Sequence, residues 1–301
     1  MKRILKGLGI GLAALAGLAL LTTAVLYGLS EYRLNRRHPI PAIPKLTLST
    51  DSATLAHGEH LAKSTGNCTF CHEADLGGED SGMGGPLGTV AGPNLTRGRG
   101  GLDPSFSDDD WVRAIRYGVH PDGTSLIVMP SETFVHMNAG DLSALVSYLK
   151  QLPPIDREVP KTRLGFLGRM LLASGKLPIL VAEKTKKLPL VTGVKAGPTV
   201  EYGRYLADLS GCRGCHGQNL SGGRVAGPPG TPPTSNLTPA GPIGRWTEKQ
   251  FVTALRTGMR PNGTIIDGFM PWRVAGQMTD EELHAIWLYL KSVRPMAYGN
   301  R

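Results

Sequence analysis

The chain has 301 residues, a formal net charge of +9 and only four cysteines. This length allows about two domains once an N-terminal segment is set aside. No basic region is interleaved with stacking aromatic residues, which argues against a nucleic-acid-binding protein.

The first element is an apolar N-terminal segment. Three basic residues within the first six positions precede residues 7–30, which contain no charged residue. As a helix, this stretch is long enough to cross a hydrocarbon core of about 30 Å. A cleaved signal peptide is the alternative, but residues 18–27 stay apolar beyond any Ala-x-Ala cleavage site. We therefore expect an uncleaved membrane anchor over residues 1–37.

The next segment, residues 38–154, is expected to form a domain and contains Cys68-Thr-Phe-Cys71-His72. Two thiols one helical turn apart can each add to a vinyl group of haem, and the adjacent imidazole then lies under the iron. The motif therefore predicts one covalently bound haem c, attached through Cys68 and Cys71, with His72 as an iron ligand.

A basic linker is predicted over residues 155–199. Within it, residues 164–172 have the pattern of one amphipathic helix. This segment could pack between domains, against a partner or on anionic lipid, and the sequence is compatible with all three positions.

A second domain is predicted over residues 200–301, with the motif Cys212-Arg-Gly-Cys215-His216. We expect it to bind a second haem c through Cys212 and Cys215, with His216 as an iron ligand. Two disulfides or a four-cysteine zinc site are the alternatives. Zinc would leave both histidines unexplained, and its ligand pairs usually lie much closer together in sequence.

The two motifs lie within an internal repeat. Matched segments precede, follow and end each copy: 58–62 with 203–207, 94–96 with 236–238, and 145–150 with 286–291. Apolar spacing and N-cap residues predict three main helices in each copy, separated by Gly/Pro-rich loops with no strand pattern. The helices are expected at 52–65, 107–118 and 139–152, and at 199–210, 247–258 and 279–293. The predicted fold class is all-α, with a transmembrane helix followed by two tandem haem domains.

Each copy offers two methionines as the second axial ligand of iron. Met129 and Met270 are each followed by proline, which stiffens a loop, whereas Met137 and Met278 lie just before the last helix, where an apolar residue usually packs as a staple. We therefore predict Met129 and Met270 as ligands. A histidine in that place is the alternative, although the other histidines have no partner spacing of their own.

The order of these motifs resembles class I cytochromes c in tandem, and looks like the membrane-associated cytochrome c subunits of periplasmic alcohol and gluconate dehydrogenases. The resemblance covers residues 52–154 and 199–295. It implies that a loop proline carbonyl accepts a hydrogen bond from the haem-motif histidine. Pro93 fits this role in the first copy, but Thr234-Ser-Asn236 stands at the matching place in the second.

The resemblance also implies a function and a location. The chain would be a non-catalytic electron carrier of a periplasmic respiratory chain, in a single-pass protein of the bacterial inner membrane with its haem domains in the periplasm. Its redox partners would be a dehydrogenase subunit, an oxidase or a soluble cytochrome. A dihaem peroxidase, or a haem subunit of a terminal oxidase, is the alternative.

The charge distribution suggests a direction of electron flow. Residues 38–154 carry a net charge of −6 and residues 200–301 carry +4. Negative charge stabilises ferric iron and lowers its reduction potential. We therefore expect electrons to pass from the Cys68 haem to the Cys212 haem.

Overall fold

The computed structural model describes residues 2–40, 43, 45–83, 85–185, 193–225 and 230–301. Helix α1 (Lys2–Asn35) contains the predicted apolar segment and extends beyond it at both ends. The helix is long and apolar enough to cross a membrane, a property that signal sequences share.

The first copy of the repeat is mainly helical. Its helices are α2 (Ser52–Lys63), α3 (Thr69–His72), α4 (Asp108–Val112), α5 (Ser131–Phe134) and α6 (Ala139–Lys150). The chain continues from α4 as one wider π-helical turn, Arg113–Tyr117, and ends that helix at Gly118. The left-handed conformation of Gly118, with φ of 64°, is the one that glycine adopts most readily at a helix end.

Two short helices follow in the middle segment, and the second copy then repeats the order of the first. The middle helices are α7 (Phe166–Ala173) and α8 (Val181–Thr185). The helices of the second copy are α9 (Val200–Leu209), α10 (Cys212–His216), α11 (Glu248–Thr257), α12 (Trp272–Ala275) and α13 (Asp280–Ser292).

The three main helices of each copy lie where the sequence predicts them. Side chains at Ser107, Thr247 and Thr279 close capping boxes with the residue three positions later. These reciprocal hydrogen bonds satisfy two of the backbone N–H groups that a helix start otherwise leaves unpaired.

The expectation of loops without strands is wrong in the first copy. Strands β1 (Glu79–Met83), β2 (Gly88–Gly92) and β3 (Arg163–Leu164) form a small antiparallel sheet in the order β1-β2-β3. β3 comes from the middle segment, and the hydroxyl of Thr162 accepts a hydrogen bond of 3.1 Å from the N–H of Ala91. β1 and β2 are neighbours in sequence, but their glycine-rich segments have little alternation of apolar residues, and β2 also pairs with the distant β3, so the local pattern of residues 77–92 does not reveal the sheet.

The first and last helices of each copy cross at a glycine. A Cβ atom on Gly58 would lie 2.1 Å from the carbonyl oxygen of Ala144, and one on Gly203 would lie 1.8 Å from that of Ala285. The two crossings use equivalent positions, so both copies share the same helix packing. Around them, buried side chains of both copies form one continuous apolar cluster.

The middle segment packs on the first copy and on the end of α1. Val181 lies against Gly118: its Cγ1 atom is 2.2 Å from the position that a Cβ atom added to Gly118 would occupy. Near the end of α1, Arg33 forms an ion pair of 2.7 Å with Glu183, and Arg169 of α7 pairs with Glu31. The amphipathic helix expected at 164–172 is therefore present as α7, and it contacts α1.

Candidate haem sites

The two Cys-x-x-Cys-His motifs each form one helical turn. In α3, the N–H of His72 donates to the carbonyl of Cys68 at 3.0 Å. All four cysteines are unpaired, which excludes the two disulfides. Burial raises the pKa of Cys68 and of Cys212 to about 12. These thiols are therefore neutral in the protein alone.

His72 has a fixed orientation within its copy. Its Nδ1 lies 2.8 Å from the carbonyl oxygen of Pro93, and the side chain is buried. Burial lowers the pKa of His72, so the imidazole is neutral near pH 7. A neutral ring that donates from Nδ1 keeps its lone pair on Nε2, which is the atom that an iron ion would bind.

The second copy orients its histidine in the same way, without a proline. Nδ1 of His216 lies 2.7 Å from the carbonyl oxygen of Ser235. Ser235 takes the place of Pro93 in the repeat, so the acceptor is a backbone carbonyl in both copies. Burial again lowers the pKa of the imidazole.

The loop that supplies this carbonyl is fixed to the motif helix differently in each copy. In the first, Gly92 lies so close that an added Cβ atom would be 1.5 Å from the carbonyl oxygen of Cys71. In the second, the hydroxyl of Thr234 donates to the carbonyl of Cys215 at 3.0 Å. Both contacts place the acceptor carbonyl beside the histidine.

The repeated Asn-Leu-Thr segments hold the same loops from the other side, a role that sequence reasoning missed. The amide of Asn94 donates to the carbonyl of Ile155 at 2.7 Å, and that of Asn236 donates to the carbonyl of Met296 at 2.8 Å. The recurrence of Asn-Leu-Thr in both copies was the sequence signal that could have revealed this role. The chain after each last helix thus returns to brace the histidine loop, and residue 155 of the predicted linker takes part in this contact.

The methionines fall into two classes by burial. Met137 and Met278 are 0% and 2% exposed, as apolar staples of the last helix should be. Met129 and Met270 are half-buried at the edge of the core. Val128, just before Met129, has φ of 72°, a strained conformation for a β-branched residue that is typical of functional loops.

Three other histidines have carboxylate partners. His57 lies 2.8 Å from Asp141, His60 lies 2.8 Å from Glu282, and Nδ1 of His284 lies 2.7 Å from Glu248. These three imidazoles are therefore explained without iron. This favours methionine over these three histidines as the second axial ligand.

The donor set as a whole fits covalently attached haem. Each copy brings two unpaired thiols and one oriented imidazole onto a single turn, and has a half-buried methionine in a proline-stiffened loop. Thioether bonds at the cysteines, an imidazole ligand and a thioether ligand are the groups that c-type haem uses.

Comparison with known proteins agrees with this assignment. Residues 200–294 match the family described as cytochrome c, and residues 53–149 match the family described as cytochrome c oxidase, cbb3-type, subunit III. Each match covers one copy of the repeat. Both Cys-x-x-Cys-His motifs therefore lie within matched residues.

Similar proteins include subunits of dehydrogenases. The cytochrome c subunit of the quinone alcohol dehydrogenase of Gluconobacter oxydans is 33% identical over 83% of this chain and 56% of its own length. The fructose dehydrogenase cytochrome subunit of Gluconobacter japonicus is 25% identical over 91% of this chain and 58% of its own length. The chain thus spans less than two thirds of these relatives. A diheme cytochrome c-type protein of Cereibacter sphaeroides is 28% identical over 92% of this chain and 97% of its own length.

Proposed function

Since this chain is a protein of two cytochrome c domains, related to the cytochrome c subunits of dehydrogenases, we propose that it is a dihaem electron carrier that accepts electrons from a dehydrogenase. It passes them toward a quinone or a terminal oxidase. It is not the catalytic subunit, and each haem undergoes reversible one-electron oxidation and reduction.

The observation that carries this proposal is the matched orientation of the two imidazoles. His72 and His216 each donate from Nδ1 to a backbone carbonyl, at 2.8 and 2.7 Å. A rigid ligand on a rigid loop keeps the coordination the same in both oxidation states, which electron transfer requires. With Met129 and Met270 as second axial ligands, the two sites would be equivalent and closed, which favours an electron carrier over a peroxidase, since a peroxidase needs one open iron position.

The ligand set completes the proposal. Cys68, Cys71 and His72 hold one haem c with Met129, and Cys212, Cys215 and His216 hold the other with Met270. A thioether ligand raises the reduction potential relative to two imidazoles. The half-buried position of both methionines supports this role.

Membrane attachment through α1 places the carrier beside a membrane-bound partner. Residues 1–37 would be the anchor, 38–154 and 200–301 the haem domains, and 155–199 the connection. Haem is attached to such motifs outside the cytoplasm, so the domains would lie in the periplasm. The contacts of Arg33 and Arg169 support an anchor that is retained, since they tie α1 to the folded body.

We expect electrons to flow from the Cys68 haem to the Cys212 haem, because the acidic first domain should lower the reduction potential of its haem. Two of its acids, Asp75 and Glu132, pair with Arg157 and Lys184 of the middle segment. These pairs reduce the charge difference between the domains without reversing it. Redox titration of variants that retain one haem tests this order, and a higher potential at the first haem would reverse it.

The function is tested on the purified full-length protein. Haem content should be two per chain, both haems should be reduced and reoxidised reversibly, and the reduced protein should not bind carbon monoxide. Carbon monoxide binding to one haem would instead favour the peroxidase alternative. Copurification with a dehydrogenase subunit identifies the donor.

A further inference from the structure

The two copies of the repeat contact each other through equivalent residues. In the alignment of the copies, Tyr205 matches His60 and Glu282 matches Asp141. Across the interface, the hydroxyl of Tyr205 donates to a carboxylate oxygen of Asp141 at 2.5 Å. The ring nitrogen of His60 donates to a carboxylate oxygen of Glu282 at 2.8 Å.

These two contacts follow one rule. In each, a residue of one copy's first helix donates to the carboxylate at the third position of the other copy's last helix. The same exchange in both directions is the signature of an isologous interface, in which the contacts are related by a two-fold axis. Here both halves belong to one chain, so the axis is an approximate one inside the molecule.

Each carboxylate also accepts a hydrogen bond from a residue of its own copy. The N–H of Thr279 donates to Glu282 at 2.7 Å, and the side-chain amide of Asn138 donates to Asp141 at 3.0 Å. Glu282 is 5% exposed, so its charge depends on these bonds and on His60. Burial raises the pKa of Tyr205, which keeps its hydroxyl protonated as a donor.

The same interface brings the candidate haem sites together. Thr133 lies in α5, four residues after Met129, and its Cγ2 atom is 3.2 Å from the place of a Cβ atom on Gly211. Gly211 directly precedes Cys212. The helix that follows the predicted ligand loop of the first haem therefore lies beside the residue that precedes the attachment helix of the second.

We propose that Asp141 and Glu282 are positioning residues that hold the two domains together through Tyr205 and His60. They thereby keep α5, which follows the Met129 loop, beside the start of the Cys212 helix, where electrons cross between the haems. This inference rests on the proposed dihaem function. One electron leaves a ferrous iron in one domain and reduces a ferric iron in the other, with no proton transferred and no bond formed or broken.

The test compares single-group variants of the full-length protein. Tyr205→Phe removes only a hydroxyl, and His60→Leu removes the other donor. Tyr202→Phe is the matched control, because Tyr202 stacks on Tyr205 at 6.1 Å and forms no hydrogen bond across the interface among the residues described. His60→Gln keeps a side-chain donor and should restore what His60→Leu loses.

Two quantities are measured in these variants: the distance between the ferric irons by electron paramagnetic resonance, and the rate of electron transfer between the haems after rapid photoreduction of one. We expect the double variant Tyr205→Phe/His60→Leu to broaden the distance distribution and slow the transfer several-fold. The spectrum and reduction potential of each haem should stay unchanged, as should both quantities in Tyr202→Phe.

Two outcomes would overturn the proposal. An unchanged distance distribution would mean that these residues do not hold the domains, and an unchanged rate with a broader distribution would place the crossing elsewhere. Failure of the wild-type protein to bind two haems would count against the proposed function instead. If the double variant does not fold, a double-mutant cycle of Tyr205→Phe with Asp141→Asn measures the same coupling.

Discussion

The carbonyl oxygen of Ser235 lies 2.7 Å from Nδ1 of His216. The first copy achieves the same relationship with a proline, so the proline ring itself is not required. What both copies share is a loop pressed against the carbonyl of the second cysteine of the motif. The orientation of the imidazole is thus a property of the backbone of this loop.

The first prediction concerns the close contact between this loop and the helix of the haem motif. Replacing Gly92 by Ala should destabilise the first domain by at least about 2 kcal/mol, because the new Cβ atom would overlap the carbonyl of Cys71. Thr234→Val is the matched change in the second domain, and loss of its hydrogen bond to Cys215 should cost about 1 kcal/mol. Haem retention and thermal unfolding of both variants provide the measurement. Equal losses of stability in Gly92→Ala and Thr234→Val would argue against a steric overlap at Gly92.

The second prediction separates ligand methionines from packing methionines. Met129→Ala and Met270→Ala should each remove half of the weak sulfur-to-iron absorption band at the red end of the spectrum, with little change in folding. Met137→Ala should keep the band and lower the free energy of unfolding by about 2–5 kcal/mol, because it leaves a cavity in a fully buried site. A band that survives in Met129→Ala would assign the ligand elsewhere.

The third prediction concerns the crossing of first and last helices. Gly203→Ala should destabilise the second domain by about 1–3 kcal/mol or more, since its Cβ atom would lie 1.8 Å from the carbonyl of Ala285. Gly58→Ala should act in the same way on the first domain. Gly140→Ala is the control, because the nearest atom there is a side-chain oxygen at 3.3 Å. Chemical denaturation measures all three, and a stable Gly203→Ala protein would mean that the helices can separate.

Sequence alone predicted those features that depend on neighbouring residues. The capping box at Thr279 and the glycine end at Gly118 are local signals, and both helices have the expected bounds within a few residues. The histidine acceptor in the second copy could not be predicted, because a backbone carbonyl carries no residue signature. The contact of Tyr205 with Asp141 joins residues 64 positions apart, and only the folded chain reveals it.

The last prediction concerns pH. The hydrogen bond to Asp141 raises the pKa of His57 above its usual value of 6.5, against the opposing effect of burial. Because the folded state binds this proton more tightly than the unfolded state, the contribution is complete at pH values below 6.5 and is lost as the pH rises through the raised pKa. The difference in unfolding free energy between the wild type and His57→Gln should therefore be larger at pH 5.5 than at pH 8.5, about one unit below and two units above the usual pKa. Burial lowers the pKa of His120 and His136, which gives these residues the opposite trend, but they are unchanged in the variant and cancel in the difference. A difference that does not vary with pH would show that the bond between His57 and Asp141 is not charge-assisted.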